Sequence, residues 1–205
     1  PISFYLPEKR LSNAELSQYF DVPEAKILKS TGIRNRYIAA PNELASDMAV
    51  KAAETLFTEH KIDREEIDFL IFCSECYDYI APATSCILQD RLHLQRSTGC
   101  IDMPYGCSGY VYGLAMAKSL IASGIAQKVL FVTADTSTKT LPENNLELRS
   151  IFSDAATATL ITKENHQQAG EFVFGTDGSG CHNIYISRSA FREPMDAKFV
   201  EQEKL

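Results

Sequence analysis

Between Cys107 and Ser123 the chain is apolar or small almost all the way round a helical turn: Tyr110, Val111, Gly113, Leu114, Ala115, Met116, Ala117, Leu120 and Ile121, with Gly124 to end the run. A helix without a polar face has to be covered on every side. It stops short of the ~20 residues that cross a bilayer, so protein must do the covering. Gly99-Cys100-Ile101-Asp102-Met103 precedes it as a short strand halted at Pro104, and Lys128 to Ala134 follows it as another. Strands on both sides of a fully apolar helix imply a helix packed against a sheet in a layered α/β fold.

The remaining pattern fits that frame. Ile2 to Leu6, closed by Pro7, predicts a first strand. Ser12-Asn13-Ala14-Glu15 has the spacing in which the Ser and Glu side chains satisfy each other's backbone amides, opening a helix that stops before Pro23. A short extended piece around Tyr37-Ile38 is followed by a helix introduced by Pro41-Asn42-Glu43. Its Leu44, Met48, Ala49, Ala52, Ala53, Leu56 and Phe57 recur at three and four. Ile67 to Cys73 is nearly continuous in apolar residues, as in a strand buried on both faces of a parallel sheet. A helix over 83–92 and a strand over 155–162 complete the set, with 146–151 unassigned. Glu171-Phe172-Val173-Phe174 and Ile184-Tyr185-Ile186 read as two further short strands beyond the polar stretch Lys163 to Gly170. The expected fold is α/β, with a mostly parallel five-stranded sheet and a buried central helix.

Composition narrows the function. Twenty Lys and Arg against 27 Asp and Glu give a formal charge of −7 without a basic cluster, which argues against a nucleic-acid partner. No apolar run reaches membrane-span length, and Pro1-Ile2-Ser3-Phe4 does not open a signal peptide, so the expectation is a cytoplasmic chain with no membrane partner. The six cysteines then read as free thiols rather than a disulfide framework.

Cys107 is the candidate nucleophile. In Tyr105-Gly106-Cys107-Ser108-Gly109-Tyr110 it is expected at the first turn of the buried helix, where unpaired amides and the positive end of the helix dipole favour a thiolate. Gly106 and Gly109 permit a tight strand-to-helix turn, and an amide of that turn can face a developing oxyanion. The competing reading of the same spacing is a small buried cysteine at a helix start. Ser108 fits less well, because the two glycines sit asymmetrically about it and do not make a Gly-x-Ser-x-Gly elbow.

At these residues the chain resembles β-ketoacyl-ACP synthase III and its relatives in the thiolase superfamily. Thr31-Gly32-Ile33-Arg34-Asn35-Arg36-Tyr37-Ile38-Ala39 is similar to the family's early Thr-Gly-Ile-Arg segment, and 67–92 to its second strand and Pro-led helix. Residues 99–124 resemble its active-site cysteine and buried helix, Phe152-Ser153-Asp154-Ala155-Ala156 its Phe-Gly-Asp-Gly-Ala segment, and Thr176-Asp177-Gly178-Ser179 the opening of its second half. The resemblance implies an N-terminal thiolase-like domain over 1–165 carrying the nucleophile, then a linker and the first strands of an incomplete C-terminal thiolase-like domain over 166–205. It implies a decarboxylative Claisen condensation. Cys107 would take an acyl group from acyl-CoA or acyl-ACP, and a carbanion from malonyl-ACP would attack it, with no tightly bound cofactor. Acyl carrier protein and acyl-CoA are the implied partners, and a homodimer paired through the 99–103 strand the implied assembly.

Several positions depart from the family pattern. The family's catalytic His and Asn belong to the second half, so 205 residues alone are not expected to complete the condensation. His166-Gln167-Gln168-Ala169 resembles the family's His-Gln-Ala-Asn, but comes too soon after Cys107 and reads as a loop; His60, His93 and His182 have no better claim. Lys26 stands where the family stacks a Trp on coenzyme A, and 146–151 lacks an Arg at the expected offset, although Arg149 is near. Ala81 replaces a Phe that reaches across the dimer interface. Glu75, at the end of the second strand, lies near where the related hydroxymethylglutaryl-CoA synthases carry a Glu acid/base; the competing reading is a polar strand end. Asp102 reads as structural, and Cys73 with Cys76 as a lone Cys-x-x-Cys rather than a metal site. Two other functions fit the chain: a non-condensing cysteine acyltransferase, and a non-catalytic partner subunit of a synthase dimer.

Overall fold

The computed structural model describes residues 1–163 and 170–186. The chain divides into two compact units, Pro1–Ala169 and Gly170–Leu205. The first is built on a five-stranded sheet. Its strands are β1 (Ile2–Tyr5), β4 (Phe69–Cys73), β5 (Gly99–Met103), β6 (Lys128–Asp135) and β7 (Ala155–Thr162), in spatial order β1-β7-β6-β4-β5. β4 pairs in parallel with β5 and β6, whereas β7 pairs antiparallel with β6 and with β1. Four strands therefore run one way and only β7 is reversed, which makes the sheet mixed in its pairings. A separate ribbon joins β2 (Lys9–Ser12) to β3 (Asn35–Ile38).

Strand alternation sends successive side chains to opposite faces. Leu70 and Phe72 of β4 and Leu130, Val132 and Ala134 of β6 pack on one side. There they meet α3 (Ala45–His60), through Met48, Ala49, Ala52, Ala53, Leu56 and Phe57, and α4 (Thr84–Arg91), through Leu88. Ile71, Cys73, Val129 and Phe131 face the other side and pack on α5 (Gly109–Ala122). The α3 spacing thus lands its apolar stripe on the sheet as expected, except that Leu44 precedes the helix and is exposed.

The helix expected to be buried on every side is not. Only Gly109, Gly113 and Ala117 of α5 are buried, a stripe at intervals of one turn that lets the helix lie hard on the sheet. A Cβ on Gly113 would stand 2.2 Å from Phe131 Cζ, and one on Gly109 would stand 2.4 Å from Cys73 Sγ. The larger apolar residues are turned aside or outward, with Val111 49% exposed. The all-round apolar pattern reports a helix with one close-packed side and an outer side that no described residue covers completely.

The entry segment is more helical than expected. α1 (Asn13–Phe20) opens on the expected capping box, with the Ser12 hydroxyl accepting from the Glu15 amide at 3.2 Å and Glu15 accepting from the Ser12 amide at 2.7 Å. A further helix, α2 (Glu24–Thr31), follows at once, started by Pro23 and ended by Gly32 at φ 71°. Buried Arg36 ties this region to α6 (Leu146–Ile151): its guanidinium donates to the Ser150 carbonyl at 2.8 Å and to the Asn13 side chain. Burial lowers its pKa, and carbonyl acceptors rather than a carboxylate receive its protons.

In the second unit, 171–177 and 184–186 are irregular rather than strands, flanking a 3-10 turn at Gly178–Asn183 that Asp177 caps through the Ser179 amide at 3.0 Å. An alternating apolar pattern makes a strand only where a neighbour supplies a ladder. All ladders among the described residues lie within 2–162. His166 lies outside the described residues.

Candidate active site

β5 ends at Met103, and the chain turns through 104–108 into α5. The Tyr105 amide donates back to the Met103 carbonyl at 3.0 Å and the Gly109 amide to the Gly106 carbonyl at 2.9 Å, closing a tight turn with Cys107 at its outside. Ser108 is the residue that starts the helix, so Cys107 sits just ahead of the first turn rather than in it. Its side chain is exposed, and no described residue accepts a hydrogen bond from the Cys107 or Ser108 amide. Tyr105 stacks on Tyr112 at 4.9 Å between ring centroids, bracing the turn against the helix.

The end of β4 reaches into this turn from the sheet side. The Ser74 amide donates to the Met103 carbonyl at 3.2 Å, and the Cys73 thiol donates to the Tyr105 carbonyl at 3.2 Å. Glu75 comes over the turn itself. A Cβ built on Gly106 would lie 3.1 Å from Cδ and from both carboxylate oxygens of Glu75, so the absent side chain at 106 is what lets that carboxylate rest against the residue before Cys107. The two site residues singled out from the sequence are therefore brought to one place.

Sequence reasoning missed Asp135, the last residue of β6. Its Oδ1 accepts from the Glu75 amide at 2.8 Å and from the Ser74 hydroxyl at 3.1 Å, and its carboxylate also bonds the Cys76 side chain. Burial pushes its pKa up, against those hydrogen bonds. An Asp closing a strand carries no sequence signal of this kind; only the parallel neighbourhood of β4 and β6 reveals it.

Three of the other thiols are withdrawn from water, unlike Cys107. Burial pushes Cys73, Cys76 and Cys100 each up to about 11, which keeps them as protonated, unreactive thiols at neutral pH, whereas Cys86 and Cys181 are exposed without such surroundings. Asp102 accepts from the Thr84 and Ser85 amides, both at 2.7 Å, and so caps α4 from a neighbouring strand. Ser153 uses its added hydroxyl to accept from the Tyr37 amide at 2.7 Å. Asp154 is fully buried and accepts from the Ala39 and Thr138 amides at 2.8 and 3.0 Å. Lys26 is exposed on α2. Arg149 projects from α6 into a cleft of about 290 Å³ that Leu11, Glu15, Leu16, Tyr19 and Glu143 also line. No group of described residues offers three metal-ligating side chains.

This strand-turn-helix arrangement is shared with known proteins. Residues 101–178 match the family model for 3-oxoacyl-[acyl-carrier-protein (ACP)] synthase III. The chain is 35% identical over 187 residues to the β-ketoacyl-[acyl-carrier-protein] synthase III 2 of Halalkalibacterium halodurans, a match covering 91% of this chain and 56% of that protein. The chain resembles the synthase III family over most of its own length. A crystal structure of a 3-oxoacyl-(acyl-carrier-protein) synthase III superposes with a TM-score of 0.93 at 44% identity, over 96% of this chain and 59% of that one. The priming β-ketosynthase of the R1128 polyketide pathway is similar at a TM-score of 0.82 and 28% identity, over 88% of this chain and 54% of that one. The fold of this synthase III-like chain is thiolase-like, and the chain spans about 56–61% of the length of the first curated relatives it matches. No helix among the described residues is long and apolar enough to cross a membrane.

Proposed function

We propose that this chain carries the acyl-loading centre of a 3-oxoacyl-ACP synthase III-type condensing enzyme, with Cys107 as nucleophile and Glu75 as an acid/base group beside it. The observation that carries the reading is the exposed Cys107 on a turn where neither its own amide nor that of Ser108 is bonded to a described residue, in a chain 44% identical to a solved synthase III. In the first step the Cys107 sulfur attacks the carbonyl carbon of an acyl-CoA or acyl-ACP thioester. The negative charge gathers on the carbonyl oxygen, within reach of the Cys107 amide, and the carrier thiol leaves with a proton. One thioester replaces another, so little free energy is lost and the acyl group stays reactive. In the second step malonyl-ACP releases carbon dioxide, and its carbanion attacks the acyl carbon. The β-ketoacyl thioester forms as the Cys107–acyl bond breaks.

On this reading residues 1–165 form the nucleophile-bearing domain and 166–205 belong to a linker and a second thiolase-like domain. The condensation step draws on groups outside this domain, so the 205-residue chain alone stops at the acyl-enzyme. The working protein is a cytoplasmic homodimer of lipid or polyketide synthesis that uses acyl carrier protein and acyl-CoA and holds no tightly bound cofactor. Mass spectrometry after incubation with acetyl-CoA and longer acyl-CoAs tests the proposal. A mass gain of one acyl group is expected, absent in Cys107→Ala; no Cys107-dependent gain on the full-length protein would sink it.

The seat of the Glu75 carboxylate against Gly106 favours one second reading, a non-condensing acyltransferase. A base next to the acyl-cysteine suits transfer to an alcohol or amine, whose attacking oxygen or nitrogen must lose a proton. Malonyl-dependent release of carbon dioxide separates the two: its presence supports condensation, and acyl transfer without it supports the second reading.

A further inference from the structure

We infer that Asp135 is the positioning residue of this centre, holding the segment Ser74–Cys76 so that the Glu75 carboxylate stands over Gly106 beside Cys107. The inference rests on the reading of Cys107 as acyl acceptor and of Glu75 as its acid/base partner.

The β4–β6 ladder ends at the pair Cys73↔Thr133, so the backbone beyond Cys73 has no strand neighbour on that side. The Asp135 side chain takes over where the ladder stops. One oxygen receives the Glu75 amide at 2.8 Å and the Ser74 hydroxyl at 3.1 Å, and the same hydroxyl receives the Cys76 amide at 2.8 Å. Three consecutive residues are thus gathered on one carboxylate, with Glu75 in the middle. Its side chain then lies over Gly106, where the missing Cβ leaves room for the carboxylate.

Sheet stability alone does not call for this arrangement. A carboxylate withdrawn from water is unfavourable unless donors compensate it, and the donors here all come from the one segment that carries Glu75. A second acidic group so close to Glu75 also adds like-charge repulsion, felt at Asp135 itself. Cys73, Cys76 and Tyr77 are the other titratable groups packed around it, and burial keeps each of them neutral. The feature makes sense as a device that spends stability on the placement of one side chain.

The test uses the full-length protein with Asp135→Ala, Asp135→Asn, Gly106→Ala, Glu75→Gln and the double variant Asp135→Ala/Glu75→Gln. Loading of Cys107 is read by mass spectrometry, its discharge to acceptor by turnover, and the Glu75 carboxylate by NMR of isotope-labelled glutamate, its resonance being the one lost in Glu75→Gln. Loading is read in each variant as the control that the fold and the Cys107 turn persist. Discharge is expected to fall about tenfold or more in Glu75→Gln and equally in Asp135→Ala, in kcat more than KM, with no further loss in the double variant. Asp135→Asn keeps an acceptor oxygen and is expected to recover to within about threefold. The Glu75 resonance should shift in Asp135→Ala and Gly106→Ala and stay in Asp135→Asn. An unmoved resonance in Asp135→Ala, or losses that multiply in the double variant, would overturn the inference. Unchanged discharge in Glu75→Gln would instead remove the acid/base reading of Glu75, while the resonance still decides for or against Asp135.

Discussion

Cys107 and Cys73 lie on either side of one turn and differ in exposure and in hydrogen bonding. The first is exposed, and the second is 2% exposed with its proton directed at the Tyr105 carbonyl. Sequence pattern distinguishes Cys107 through its glycine neighbours, but nothing in Phe72-Cys73-Ser74 says that Cys73 is the floor on which Gly109 rests. Burial has a measurable consequence. The folded Cys73 thiol titrates near 11 against 9.0 for an ordinary thiol, so between those values the unfolded chain has released a proton that the folded chain still holds. Stability falls with rising pH wherever the folded state binds more protons. The thiol's contribution is therefore complete below pH 9 and lost by about pH 11. Urea unfolding should show stability declining across that window, and Cys73→Ala should make the decline shallower by up to about 2 kcal/mol. An identical decline in the variant would count against the assignment.

Among the elements, those whose apolar residues follow one regular pattern are the most legible. The three-four spacing of α3 and the continuous apolar run of β4 translate directly into packing. α2 was missed because its apolar content is slight and its boundaries rest on Pro23 and Gly32 rather than on periodicity. The strands expected at 171–174 and 184–186 failed for the converse reason, since alternation describes a surface and not the ladder that makes it a strand. Capping was legible only where it is local: Ser12 and Glu15 sit in one motif, but the cap of α4 comes from Asp102 on another element. An anion at a helix N-terminus satisfies amides that the helix cannot. Asp102→Ala should therefore destabilise the fold by roughly 2 kcal/mol and speed hydrogen exchange at the Thr84 and Ser85 amides above all others. Exchange raised evenly throughout the molecule would instead mean that the carboxylate does not act through α4.

For the molecule as a whole, the apolar side of α5 that faces away from its sheet matters most. Val111 at 49% exposure, with Ile2 at 59% and Phe4 at 64% on the edge strand β1, gives this chain apolar area that a solitary globular protein seldom leaves to water. Such area should bind an apolar fluorescent dye and drive self-association. Val111→Lys is expected to reduce both while changing stability by no more than about 0.5 kcal/mol; dye fluorescence and light scattering read the first effect, urea unfolding the second. The reversed strand β7 has a further consequence, which concerns time. Ile2 pairs with Thr159 and Tyr5 with Ala156, so the earliest strand of this sheet in chain order has to wait for the latest. Until then β1 has no partner and the edge of β6 that β7 will cover is open, while β4, β5 and β6 already form a parallel core. A chain that has released Lys128–Asp135 but not yet Ala155–Thr162 has the β6 edge and β1 both unsealed, the interval in which a chaperone has most to protect.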